Sequence, residues 1–271
     1  MMFVMVSAGH AIGKECVDTR GGSSVYYEET SGKIRILLET AIKKIYRVLF
    51  VCALCAVMLS CSSKKLIRQR LDNLAGKEKI TVVLVGNSFT GLAWLSDTNS
   101  GFTRSIKPEL ENVFSAKVSL INSSIFDDTF IAVTRRVQED ILSYRPDIVF
   151  IMLGWYDANF SGISIEAFRG HVQQLLDTLE AEGIFAVLLT AHGSRDVKSE
   201  YDSSVQRLKQ FNEIVIWEAG HHNFPAIGVF ERMERMRISS REEYRSLFFD
   251  SNTINDTGRT FVMKYVLNYF K

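Results

Sequence analysis

No cysteine follows residue 61: Cys16, Cys52, Cys55 and Cys61 are the four in the chain. The long remainder therefore has neither a disulfide nor a cysteine metal site. Charge excess is missing too. Thirty-two basic residues face 31 acidic ones, a net +1 over 271 residues, which gives no reason to expect a nucleic-acid partner. The apolar run Val48 to Leu59 falls short of the roughly 20 residues that a membrane-spanning helix needs. No internal repeat is visible. Histidine is scarce, with five in all. What remains is a chain of 46% hydrophobic residues, long enough for one domain with extensions.

The stretch Thr81-Val82-Val83-Leu84-Val85-Gly86-Asn87-Ser88 organises that domain. Residues 80–85 are apolar and mostly β-branched, as in a strand buried on both faces inside a parallel sheet. Gly86 permits a tight turn, and Asn87 and Ser88 follow at the strand's carboxyl end, where open α/β sheets keep their sites. A helix starting soon after would favour negative charge near Ser88 through its free N–H groups. Ser88 reads either as a nucleophile facing a developing oxyanion or as an ordinary helix N-cap.

Within residues 1–42, Gly21 to Ser24 and Glu28 to Gly32 are polar and turn-rich, Ile34 to Ile42 could form a short helix, and no apolar period is long enough for a domain. At 43–61, Lys43, Lys44 and Arg47 precede the apolar run, the pattern of a secretory signal peptide. The run ends Met58-Leu59-Ser60-Cys61, followed by a polar stretch. This resembles the cleavage box of bacterial lipoproteins, in which Cys61 would become the lipidated first residue. That implies export to the periplasm or cell surface and a membrane anchor through Cys61. A buried helix or an uncleaved anchor is the other reading of the same run. A signal belongs at an N-terminus, so the expected start lies near residue 42. No Met lies between Met5 and Met58, so such a start needs a non-Met codon. Residues 62–79 read as a tether or lead-in helix.

From Ile80 to the end, strands and helices alternate. Strands are expected at 80–85, 116–121, 147–153, 184–190 and 225–229. Helices are expected within 102–114 and over 130–144, 165–182, 202–220 and 259–270. Ser164 should cap one of them, Gly183 should close it, and Pro146 should end the helix before it. The fold class is α/β: a three-layer α/β/α domain, 80–271, around a five-stranded parallel sheet of flavodoxin-like order 2-1-3-4-5. Its switch point lies between the first and third strands. That brings Ser88 beside Gly154-Trp155-Tyr156-Asp157.

Before the closing helix lies Asp250-Ser251-Asn252-Thr253-Ile254-Asn255-Asp256-Thr257-Gly258. With Gly86-Asn87-Ser88, the region 122–128 and Gly154 to Asp157, the order of pieces resembles the SGNH, or GDSL, hydrolase family. Phe211-Asn212-Glu213 and the tail Ile254 to Gly258 extend the likeness over 80–271. The resemblance implies acyl transfer on O-acetyl or other acyl esters of carbohydrate or lipid. Serine is the nucleophile, histidine the base, and aspartate orients the histidine. It places Ser88 and Asp250 in the catalytic roles. Gly86, Asn87, Asp127, Gly154, Tyr156 and Asp157 fall at the oxyanion and substrate-binding positions. It calls for no cofactor and no metal.

The departures from that pattern bear on activity. Asn87 replaces an aspartate outside the triad. Asp127 falls where a glycine is expected, bringing negative charge toward an oxyanion site. Tyr156 stands in place of an asparagine donor. Thr253 occupies the position of the base histidine, and threonine cannot act as a general base at neutral pH. Among the histidines, His10 lies in the leader, His171 within a helix, and His221 and His222 before strand five. His192, at the carboxyl end of strand four, is the one with a topology suited to substitute; it also reads as a solvated loop residue. A catalytically silent binding protein of the same fold is therefore the second function class. Trp94, Trp155 and Tyr156 read either as stacking groups for a sugar or acyl chain or as packing. The mixed-charge run 231–237 reads as a solvated face.

Overall fold

Strands β1 (Lys79–Gly86), β3 (Ile148–Met152) and β4 (Phe185–Leu189) carry almost unbroken apolar sequences because both faces of each are covered. With β2 (Lys117–Asn122) and β5 (Ala226–Ile227) they form one parallel sheet of order β2-β1-β3-β4-β5, as expected. Register sets Gly86 opposite Met152 and Leu84 opposite Asn122, so the carboxyl ends of the three strands lie side by side. This computed structural model describes residues 65, 67–74, 76–87, 101–197, 199 and 201–271. The leader 1–42, the signal segment 43–61 with Cys61, Ser88 and Trp94 lie outside the described residues.

Helices cover the sheet in two layers. One holds α3 (Phe130–Asp140), α5 (Ile165–Ala181) and α6 (Ser203–His221), packed in series. The other joins α2 (Gly101–Phe114) and α7 (Val229–Ser239) to α9 (Asp256–Leu267). Aromatic contacts fill both layers: Phe168 packs on Phe130 and Phe211, at centroid distances of 5.5 and 4.1 Å, and Phe270 packs on Phe114 and Phe150 at 5.9 and 5.8 Å. Burying each such side chain stabilises the fold by roughly 1.5–3 kcal/mol.

Local signals act as read. Ser164 accepts the Ala167 N–H at 3.2 Å, Gly183 has φ 67°, and α3 breaks into a short 3₁₀ turn (Leu142–Tyr144) before left-handed Arg145 and Pro146. Residues 67–74 are helical (α1), with Ile67 fully buried in the core, so the lead-in segment packs with the domain rather than hanging from it. The run 231–237 is not a solvated face. It lies in α7, whose Val229, Phe230 and Met233 are buried while Glu234 and Arg237 pair at 2.8 Å. Besides α7, two short helices were not foreseen, α4 (Trp155–Asn159) and α8 (Arg241–Ser246). Among the described residues no helix is long and apolar enough to cross a membrane.

Candidate active site

The site forms where four segments meet at the carboxyl edge of the sheet. The first is the end of β1, with Gly86 in the ladder and Asn87 buried directly after it. The second follows β2: the Ser123 N–H bonds Leu84 O at 2.9 Å, and the chain runs on through Phe126 and Asp127 to Asp128. Asp128 is buried and holds Arg136 Nη2 at 2.6 Å. Burial raises its pKa to about 6, against the opposing pull of the Arg136 charge.

The third segment turns out of β3. Gly154 caps α4 at φ 105°, in the left-handed region where a side chain is strained. The turn throws Tyr156 outward and Asp157 inward. Asp157 is 1% exposed; its Oδ1 accepts the Phe130 N–H at 3.3 Å, and its Oδ2 has no hydrogen-bond partner. Burial, reinforced by the charge of Asp128 and only partly offset by the backbone donors of Phe130, Asp157 and Gly154, raises its carboxyl to about 7.

The fourth segment is the tip at 250–253. Phe248 and Ile254 form an antiparallel bridge, and the Phe249 N–H bonds Thr253 O at 2.8 Å, so the tip is a tight loop. Asp250 Oδ1 accepts the N–H groups of Asn252 and Thr253, each at 2.8 Å. Burial raises the Asp250 pKa. These two N–H groups, the Thr253 hydroxyl and the Arg195 charge outweigh it and hold the carboxyl below its ordinary value. Behind the tip, Gly258 leaves no room for a Cβ, which would lie 2.3 Å from Leu247 O.

The loop after β4 braces this tip. The Arg195 N–H bonds Ser251 O, and Ser251 Oγ bonds Asp196 Oδ2, both at 2.8 Å. The loop is itself fixed by buried Asn212, whose side chain accepts the Ala191 N–H at 2.8 Å and donates to Ala191 O at 3.0 Å. His192 comes next, and it is not a solvated loop residue. It is 1% exposed, packs edge-on to Phe248 at 5.6 Å, and sets Nδ1 2.8 Å from Gly193 O. Burial lowers its pKa to about 4, against the Gly193 bond, so it is neutral at physiological pH.

Between the second, third and fourth segments lies a cavity of about 330 Å³, lined by Phe126, Trp155, Tyr156 and Phe160 and by residues 250–253. The aromatic rings pack on one another at centroid distances of 5.2 to 6.1 Å. The Tyr156 hydroxyl is pushed above its ordinary pKa by burial and by the charges of Asp127 and Asp250. Of the residues expected at the site, Tyr156, Asp250 and Thr253 line this cavity. Asp127 is exposed and acts on Tyr156 through its charge. Gly86, Asn87, Gly154 and Asp157 lie behind the cavity as framework. His192 is not among the lining residues, and His221 and His222 sit at the far end of α6. Phe126, Phe160 and Asn252 were not foreseen. Only the density of aromatics around Tyr156 hinted at Phe160. Among the described residues no group of three or more His, Cys, Asp and Glu could hold a metal ion.

No protein-family model matches the chain, and no curated protein matches its sequence. Solved structures do share its fold. An acetyl xylan esterase, AlAXEase, aligns with TM-score 0.61 at 20% identity, over 70% of this chain and 98% of that one. A lipase/acylhydrolase from Enterococcus faecalis aligns with TM-score 0.56 at 19% identity, over 70% and 94%. The acetylxylan esterase Axe2 from Geobacillus stearothermophilus aligns with TM-score 0.59 at 16% identity, over 70% and 94%. The fold that the SGNH/GDSL resemblance implied is thus the fold these esterases have.

Proposed function

We propose that this chain is an SGNH/GDSL-type serine ester hydrolase in descent and ligand class, acting on O-acetyl or other acyl esters of carbohydrate or lipid. The observation that carries the reading is the convergence of Phe126, Tyr156 and Asp250–Thr253 on one cavity, in a fold shared with acetylxylan esterases. Ser88 is the nucleophile of this reading, one residue beyond buried Asn87. A nitrophenyl acetate assay tests it: slow hydrolysis that vanishes in Ser88→Ala is the expected result. Hydrolysis unchanged in Ser88→Ala overturns it.

A second reading is favoured by one specific observation. Thr253, which the resemblance puts where the base belongs, lines the cavity, and no described histidine does. The chain is then a ligand-binding protein that retains the esterase frame without turnover. Saturable binding of an acetylated oligosaccharide, equal in the wild type and Ser88→Ala with no product formed, would select it.

The chain is further proposed to be an exported lipoprotein, lipidated at Cys61, on the strength of the basic-apolar-Ser60-Cys61 pattern. Mass spectrometry of the native membrane fraction should find a lipidated N-terminal Cys61, and Cys61→Ser should shift the protein to the soluble fraction. A peptide from residues 15–33 in the mature protein would overturn the processing scheme.

A further inference from the structure

We infer that the cavity beside Asp250 binds an organic cation, an alkylammonium head group of the trimethylammonium class. The inference goes beyond ester chemistry and does not depend on turnover. Four aromatic side chains, Phe126, Trp155, Tyr156 and Phe160, line a single cavity of about 330 Å³. Aromatic rings around a pocket attract cations through the negative faces of their π systems, most strongly where water is excluded. Trp155 is 4% exposed, while Phe160 is 66% exposed, so the wall runs from a dry floor to an open rim.

Charge supports the same ligand. Asp250 lines the cavity, and the backbone donors on its Oδ1 favour the ionised carboxylate. Asp127, next to Phe126, sends a second negative charge onto the Tyr156 ring. No lysine or arginine is among the described residues lining the cavity. Arg195, whose charge reaches Asp250, is held on Asp196 at 2.9 Å. A neutral ligand would use the aromatic wall and could donate hydroxyl hydrogen bonds to Asp250, but would gain no full charge attraction from the two carboxylates. An anionic ligand would be repelled by both. A bulky, weakly hydrated cation gains from both walls at low desolvation cost, because a quaternary ammonium forms no hydrogen bonds that must be replaced.

The test uses tetramethylammonium and choline against the neutral isostere 3,3-dimethylbutan-1-ol, titrated into the full chain by calorimetry. Saturable binding of both cations, at least tenfold tighter than that of the alcohol and weakening as salt rises, is expected. Asp250→Asn and the exposed-site variant Asp127→Asn should each weaken cation binding several-fold while leaving the alcohol unchanged. Phe160→Ala should weaken both. Equal binding of cation and alcohol, no saturable cation binding, or loss of cation discrimination in neither aspartate variant overturns the inference. The nitrophenyl acetate result with Ser88→Ala is read separately, so failure of the esterase reading and failure of the cation site are distinguishable.

Discussion

Thr253→His is expected to raise Ser88-dependent ester hydrolysis by about 10²–10⁴-fold, the usual worth of a positioned general base. Thr253 lines the cavity three residues after Asp250, and its hydroxyl and N–H both serve that carboxylate. An imidazole at this position would replace the hydroxyl on Asp250 with its Nδ1–H. Its Nε2 would then be left to take the serine proton. Asp250 is already ionised and fixed by two N–H groups at 2.8 Å, so the orienting half of the relay is in place. The cavity of about 330 Å³ offers room for a ring at its edge. On the esterase reading, oxyanion stabilisation is the other departure from the family pattern. Asp127 adds negative charge near the Tyr156 hydroxyl, so Asp127→Gly with Tyr156→Asn, added to Thr253→His, should increase the gain. Steady-state rates on nitrophenyl acetate measure this, and Ser88→Ala must abolish the gain. Strong Ser88-dependent turnover in the unmodified protein, unaffected by His192→Ala, would show that the base was never lost.

The sheet was legible because β1, β3 and β4 are short, almost wholly apolar and bounded by turn residues, the pattern of strands covered on both faces in a parallel sheet. The Ser164 cap acts within three residues, so local sequence reveals it. What stayed hidden depends on distant neighbours. His192 looks like a loop residue beside Gly193, yet Phe248 comes back from more than fifty residues downstream to cover it. In the 231–237 run, alternating charges mask helical spacing, because Met233 alone of that run reaches the core fully while Glu234 and Arg237 satisfy each other. Helix α4 has five residues, too few to show a period. Asp128 is adjacent to Asp127 in sequence and opposite in fate. One is exposed near Tyr156; the other is buried on Arg136, eight residues on across the start of α3.

Asp157→Asn is expected to stabilise the protein by an amount that grows with pH, reaching about 4 kcal/mol above pH 7. The Asp157 carboxyl is 1% exposed, and burial together with the Asp128 charge raises it from 3.8 to about 7. The raised value means that the folded state prefers the protonated acid. Its contribution to stability is fully present below pH 4 and is lost as pH rises from about 4 to about 7. Roughly three pK units at about 1.4 kcal/mol each give the expected size. Asparagine keeps the shape and the oxygen that accepts the Phe130 N–H, while removing the charge. Asp128, raised to about 6, adds a smaller loss in an overlapping window, and Arg136 at 2.6 Å limits it. Urea unfolding at pH 4, 6 and 8 reads the effect as the difference between variant and wild type, which cancels every group far from the pair. Near pH 4 the two proteins should differ little, since both carry a neutral group at 157. A difference that does not change between pH 4 and pH 8 would mean that the folded and unfolded carboxyls titrate alike, so that Asp157 is solvated or paired in a way that the buried, half-satisfied carboxyl does not allow.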